Sequence, residues 1–197
     1  MNTAPAGHIF SVRFHIAGAT EYGDHSVRAY EDPGLQDQGL SLPIDDDGVF
    51  EAEFERTAPT FGEAVLSALA DLQRVFPEAD LVRVEPDDLV TISGIAERVG
   101  RSHESIRLLI DGKRGPGGFP QRAGTLGGKA QVWRWHEVVE WFEQKMNRPV
   151  PDSENAAFLA MINDLLRVRL AAPRVIDNRE TASAMAALLP EELAPTS

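Results

Sequence analysis

Ser102, His103, Glu104, Ser105 and Arg107 fall in the short run RSHESIR. On a helix, Ile106, Leu109 and Ile110 would turn to one side and His103, Glu104, Arg107 and Asp111 to the other. That outer face offers hydroxyl, imidazole, guanidinium and carboxylate groups at one pitch. These are the groups that pair with base edges: Arg with guanine, Ser with either kind of edge, Glu with the cytosine amine. Arg101 precedes the run, and Lys113, Arg114, Arg122, Lys129 and Arg134 follow it, cations of the kind that neutralise phosphates. Glu104 and Asp111 would repel phosphates. Glu104 is therefore either an acceptor for cytosine or a solvated carboxylate, and Lys113 and Arg114 are either phosphate contacts or solvated loop charges.

Bond-making chemistry has less to stand on. The 197 residues include no cysteine, which removes thiolate nucleophiles, thiolate metal sites and disulfides. His8, His15, His25, His103 and His136 are scattered without the i, i+4 pairing of helical zinc sites. GTLGGKA (Gly124–Ala130) looks like a phosphate loop, but the gap between Gly124 and Gly128 is too short. Ala130 also stands where a Ser or Thr would hold magnesium. IDDDG lacks the alternate spacing and closing glutamate of a calcium loop, so Asp45–Asp47 read as a solvated turn. The expectation is a protein that is not an enzyme, with no catalytic residue, no metal and no cofactor.

The elements around the run could present it. TISGIAERVG predicts a helix capped by Ser93 and ended at Gly100 in a left-handed turn, with Ile92, Ile95, Ala96 and Val99 inward. Ser102 caps the second helix, and the small Ala96 lets the two cross closely. FPQRAGTLGGKAQVWRW divides around Gly124–Gly128 into a hairpin carrying Arg122, Lys129, Gln131 and Arg134. HEVVEWFEQKM then resumes a helix anchored by Val138, Val139, Trp141 and Phe142. Two helices, a basic hairpin and a packing helix make a winged helix-turn-helix.

Residues 89–142 resemble the DNA-binding domain of the MerR superfamily, and more closely its phage-excisionase, AlpA-like branch. The residues that carry this are VTISxIAERVGRSxxSIR, then GGFP, then VWRWxEVVEWF. The resemblance implies a second helix in the major groove, facing DNA with Ser102, His103, Ser105 and Arg107. It implies a wing that touches phosphate or minor groove through Arg122, Lys129 and Arg134, unless Arg134 braces the wing instead. Trp133 and Trp135 would serve core and support. The chain departs from the family in LLID, where MerR proteins have aromatics, and in GKRGPGG (Gly112–Gly118), which is longer than the usual link.

The chain has a net charge of −12, unevenly spread. Residues 1–88 hold 5 Lys/Arg against 18 Asp/Glu, residues 89–148 hold 10 against 6, and residues 149–197 hold 4 against 7. Only the middle has the electrostatic footprint of a nucleic-acid binder.

In the front, HIFSVRFHI and GVFEAEFERTA predict strands, the second with Phe50, Ala52 and Phe54 opposite Glu51, Glu53 and Glu55. Ser26–Tyr30 is a short strand or part of a loop. Thr60 and Glu63 form a capping box for FGEAVLSALADLQRVF, and ADLVRVEP closes a β–β–α–β sheet that loosely resembles HicB-type antitoxin domains. In the tail, Ser153–Leu170 predicts an amphipathic helix for core or dimer packing, DNRETASAMAALL a second, and PEELAPTS a frayed end.

The expected fold is thus α+β in three parts. These are an acidic domain over residues 1–88 (a small antiparallel sheet with one packed helix), a winged helix-turn-helix over 89–148, and C-terminal helices over 149–197. No run approaches the roughly 20 apolar residues of a membrane span, and the start lacks a basic segment followed by an apolar one. The expectation is a cytoplasmic protein, nucleoid-associated when bound to double-stranded DNA. It would be a bacterial transcriptional regulator, homodimeric through residues 8–86, 153–170 or both. The alternatives are an antitoxin-like or adaptor protein whose acidic front, tail or both bind a protein partner, with DNA binding for autoregulation, and an excisionase-like architectural DNA bender.

Overall fold

A computed structural model describes residues 5–17, 19, 23–36, 49–151 and 153–188. The fold is α+β. Strands β1 (Ala6–His15), β2 (Val49–Ala58) and β3 (Asp80–Glu85) form an antiparallel sheet in the order β2–β1–β3. The period-two alternation of β2 buries Phe50, Ala52 and Phe54 and leaves Glu53 and Glu55 in solvent. Register then pairs aromatics across the strands. Phe10 stacks on Phe54 at 5.4 Å and Phe14 on Phe50 at 5.3 Å between ring centroids.

Helix α1 spans Gly23–Glu31 and the short α2 spans Pro33–Gln36. Both precede β2, and α1 corrects the reading of Ser26–Tyr30 as strand or loop. β1 already has a neighbour on each side, so a further strand could add only at an edge. The segment instead buries Ala29 and lays Arg28 over the Phe76 ring at 5.2 Å. Helix α3 (Phe61–Val75) covers one sheet face with Phe61, Val65, Leu69 and Leu72, and Thr60 accepts the Glu63 N–H at 3.2 Å. The solvated turn expected at Asp45–Asp47 and the frayed end from residue 190 lie outside the described residues.

A second antiparallel sheet is ordered β4–β6–β5, from β4 (Leu89–Thr91), β5 (Gly124–Leu126) and β6 (Ala130–Arg134). Helices α4 (Ile92–Arg98), α5 (His103–Ile110) and α6 (Trp135–Met146) pack with it around Ile95, Ile106, Leu109, Trp133, Val138 and Phe142. Trp133 and Trp135 are both buried, in keeping with core and support.

Helix α7 (Ser153–Val175) continues past Leu170 and through Pro173, which has no N–H to give the carbonyl four residues back and so removes one bond from the last turn. α8 (Arg179–Ala186) follows, capped by Asn178. α7 belongs to both cores. Leu159, Ile162 and Leu166 pack under the first sheet, while Ala156 packs with the second. Asn163, fully buried, accepts the Val84 N–H at 2.7 Å and donates to its carbonyl at 3.0 Å. A side-chain amide thus closes the β3 edge as a neighbouring strand would. Among the described residues no helix is long and apolar enough to cross a membrane.

Candidate nucleic-acid interface

The two-helix unit is built by local capping. α4 begins directly off β4, so its cap is Thr91, which accepts the Gly94 N–H at 3.3 Å, and not the expected Ser93. Gly100 takes φ 61°, a left-handed conformation that favours glycine. Ser102 then caps α5, its hydroxyl accepting the Ser105 N–H at 3.2 Å. With Ile106 and Leu109 buried beneath it, α5 presents His103, Glu104, Arg107 and Asp111 outward.

That outer face is electrically balanced. Arg107 donates from Nε and Nη2 to Glu104 at 2.8 and 2.7 Å, and from Nη1 to Asp111 at 3.0 Å. Lys113 adds a bond to Asp111 at 3.2 Å. Hydrogen bonding from Arg107, ahead of the nearby positive charges, holds the Glu104 carboxyl below the usual glutamate range, and the same pair raises Arg107. Two cations against two carboxylates leave no net charge at the pole of α5.

The hairpin lies beside α5. Gly127 and Gly128 both take positive φ, 55° and 73°, in the tight turn that the twist of a short hairpin favours. An open cleft of about 420 Å³ separates Lys129, Ala130 and Gln131 on the hairpin from His103, Arg107, Ile110 and Asp111 on α5. Lys129 and Arg122 are exposed. Arg134 does not project with them. It bonds the fully buried Asp88 carboxylate at 3.2 Å and approaches Asp164 of α7 at 3.6 Å, which is the bracing alternative of the sequence reading. Asp88 also accepts the His136 N–H at 3.2 Å and lies 3.0 Å from its Nδ1.

Arg101 and Arg114, both expected to contact DNA, line neither cleft between α5 and the hairpin. Arg101 lies over the Phe142 ring at 5.7 Å, and Arg114 is exposed on the loop after α5. That loop, longer than the family resemblance predicts, is held where Trp141 Nε1 donates to the Gly117 carbonyl at 3.0 Å. Phe119 packs on Trp141 at 4.9 Å. The sequence reading missed two residues here. Asp88 is one, an acid that the charge count assigned to the front. Arg148 is the other, and its signal lay in KMNRP, where an Asn followed by a Pro marks a helix stop. Asn147 indeed caps α6 at φ 47° and turns Arg148 back toward α4, where its Nη2 donates to the Val99 carbonyl at 3.2 Å.

Among the described residues no group of three or more His, Asp or Glu side chains could hold a metal ion. No protein-family model, curated protein or solved structure matches the chain.

Proposed function

We propose that the chain is a sequence-specific double-stranded DNA-binding protein, acting as a transcriptional regulator, with α5 in the major groove and the β5–β6 hairpin as a wing beside it. One observation carries this reading: a capped helix with a polar outer face stands beside a glycine-turned hairpin bearing exposed cations that form no ion pair among the described residues. A major groove about 12 Å wide admits one helix, and the exposed Lys129 and Arg122 lie where a neighbouring backbone would pass. The neutral pole of α5 suits reading more than attraction. Arg107, pre-aligned by Glu104 and Asp111, can exchange a carboxylate for a guanine edge, while affinity comes from cations to either side.

A single unit of this size buries only about 600–1,000 Å², so two copies reading two half-sites are part of the proposal. The acidic outer face of β2, with Glu53 and Glu55 in solvent, favours a second reading, in which the front meets a basic protein partner and DNA binding serves autoregulation.

The test is fluorescence anisotropy of the full chain on labelled duplex from its own upstream region, against a scrambled duplex, across a salt series. Selective binding that Arg107→Ala weakens roughly 5- to 150-fold, the range of one lost base contact, supports the reading. Equal affinity for both duplexes at every salt concentration would remove sequence specificity, and no binding at low salt would remove DNA altogether.

A further inference from the structure

Three arginines from three separate segments lie outside the clefts between α5 and the hairpin. Arg101 comes from the α4–α5 turn, Arg114 from the loop after α5, and Arg148 from the segment after α6. Each is seated by backbone or aromatic contacts. The Arg148 N–H bonds the Phe142 carbonyl at 3.1 Å, its guanidinium reaches Val99, and Arg101 lies over the Phe142 ring. The Arg114 N–H bonds the Leu108 carbonyl at 3.1 Å. Next to it Gly115 sits at φ 78°, so close to the core that a Cβ there would come within 2.8 Å of Leu109 Cδ2.

Glu97 lines one cleft with Arg148, but no acid is paired with the cluster among the described residues. Lys113, Arg107 and Arg134 are matched with acids, whereas Arg101, Arg114 and Arg148 form no ion pair among the described residues. Arg101 Nε is buried without a hydrogen-bond partner. Burial pushes the Arg101 pKa down, and the charges of Arg148 and Arg114 add to it. Like charges grouped this way favour an anion, and planar guanidinium forks match phosphate oxygens, as they do carboxylates, through paired N–H donors.

We propose that Arg101, Arg114 and Arg148 form a phosphate clamp for the DNA strand on the side of α5 opposite the wing. This rests on the DNA-binding reading above. A helix in a groove is bordered by two backbones, and the wing serves one of them with Lys129 and Arg122. The clamp serves the other. The same chemistry would take free inorganic phosphate.

Two measurements on the full chain test it. The first is anisotropy on the scrambled duplex across salt, comparing the wild type with the Arg114→Gln/Arg148→Gln double variant. Each phosphate contact contributes about 0.9 to the slope of log K against log salt, so the double variant should be shallower by about 1.8. It should weaken specific and scrambled duplex alike, while Arg174→Gln on α7 leaves the slope unchanged. The second is nitrogen-15 NMR of arginine side chains during titration with inorganic phosphate, in which the Arg101 Nε–H signal should shift saturably in the wild type and not in the double variant. Both Arg114 and Arg148 are exposed, and Arg114→Gln alone, with half the slope change, serves if the double variant melts early.

A slope unchanged in the double variant, with wild-type binding intact, overturns the clamp and leaves the DNA reading standing. A saturable phosphate shift with no duplex binding leaves an anion site and removes DNA as its source. Neither signal overturns both.

Discussion

At the scale of single residues, the balance on α5 sets the terms of any contact. Glu104 holds its charge because Arg107 donates two hydrogen bonds to it. Its folded pKa lies below the ordinary glutamate value, so the ion pair's contribution is fully present above about pH 4.3 and is lost as pH falls through the lower folded value. Between pH 5 and 8 this pair is therefore constant. Glu104→Gln removes one repelling charge and loosens Arg107. Affinity for scrambled duplex at low salt should rise, and selectivity for the specific duplex should fall if Arg107 loses its alignment. Competition anisotropy against both duplexes reads the two effects, and unchanged affinity for either would place Glu104 away from the DNA.

At the scale of elements, two polar side chains join pieces that sequence distance separates. Asp88, fully buried, ties the segment before β4 to Arg134 at the end of β6 and to His136 at the start of α6. Replacing a buried charge that holds such partners costs about 3–5 kcal/mol, and since Arg134 and His136 can regain water the low end applies. Asp88→Asn should thus lower unfolding free energy by roughly 3 kcal/mol in urea titration. A loss under 1 kcal/mol would show that the tie is dispensable. Asn163 makes the second join. Asn163→Leu keeps the volume but strands the Val84 N–H and C=O, at about 1–3 kcal/mol for each buried group left unpaired. Hydrogen exchange at the Val84 amide should rise in that variant while amides of β2 change less.

At the scale of the whole molecule, α7 decides how independent the parts are. Its Leu159, Ile162 and Leu166 complete the first core and its Ala156 the second, and Arg134 reaches Asp164 across the join. Helix α7 is therefore shared structure, and its apolar side is occupied within the chain. Any homodimer through residues 153–170 would have to use what remains outside, such as Met161 and Val168, 46% and 51% exposed. A shared helix couples the unfolding of both cores. Calorimetry should show one transition with van't Hoff and calorimetric enthalpies nearly equal, and two resolved transitions would show that α7 transmits little between them.

Features governed by neighbours along the chain were legible in the sequence. The alternation of Phe50, Ala52 and Phe54 with glutamates required a one-sided strand, Ser102 and Gly100 marked the turn between α4 and α5, and Gly127 and Gly128 marked the hairpin. Each depends on a period or a dihedral that a few residues determine. The α+β class followed from the order of those periods, and charge counted by segment singled out residues 89–148.

What only the tertiary structure decided were matters of partnership over long sequence separations. The segment at Ser26–Tyr30, expected as strand or loop, is a helix that sets Ala29 into the first core and Arg28 over the ring of Phe76, residues far along the chain. Arg134 became a brace because Asp88, 46 residues earlier, is buried against it. Arg101 and Arg148, from different segments, were brought together at Phe142. Periodicity shows which face a side chain takes, but a charge acquires its role from whatever the fold sets opposite it.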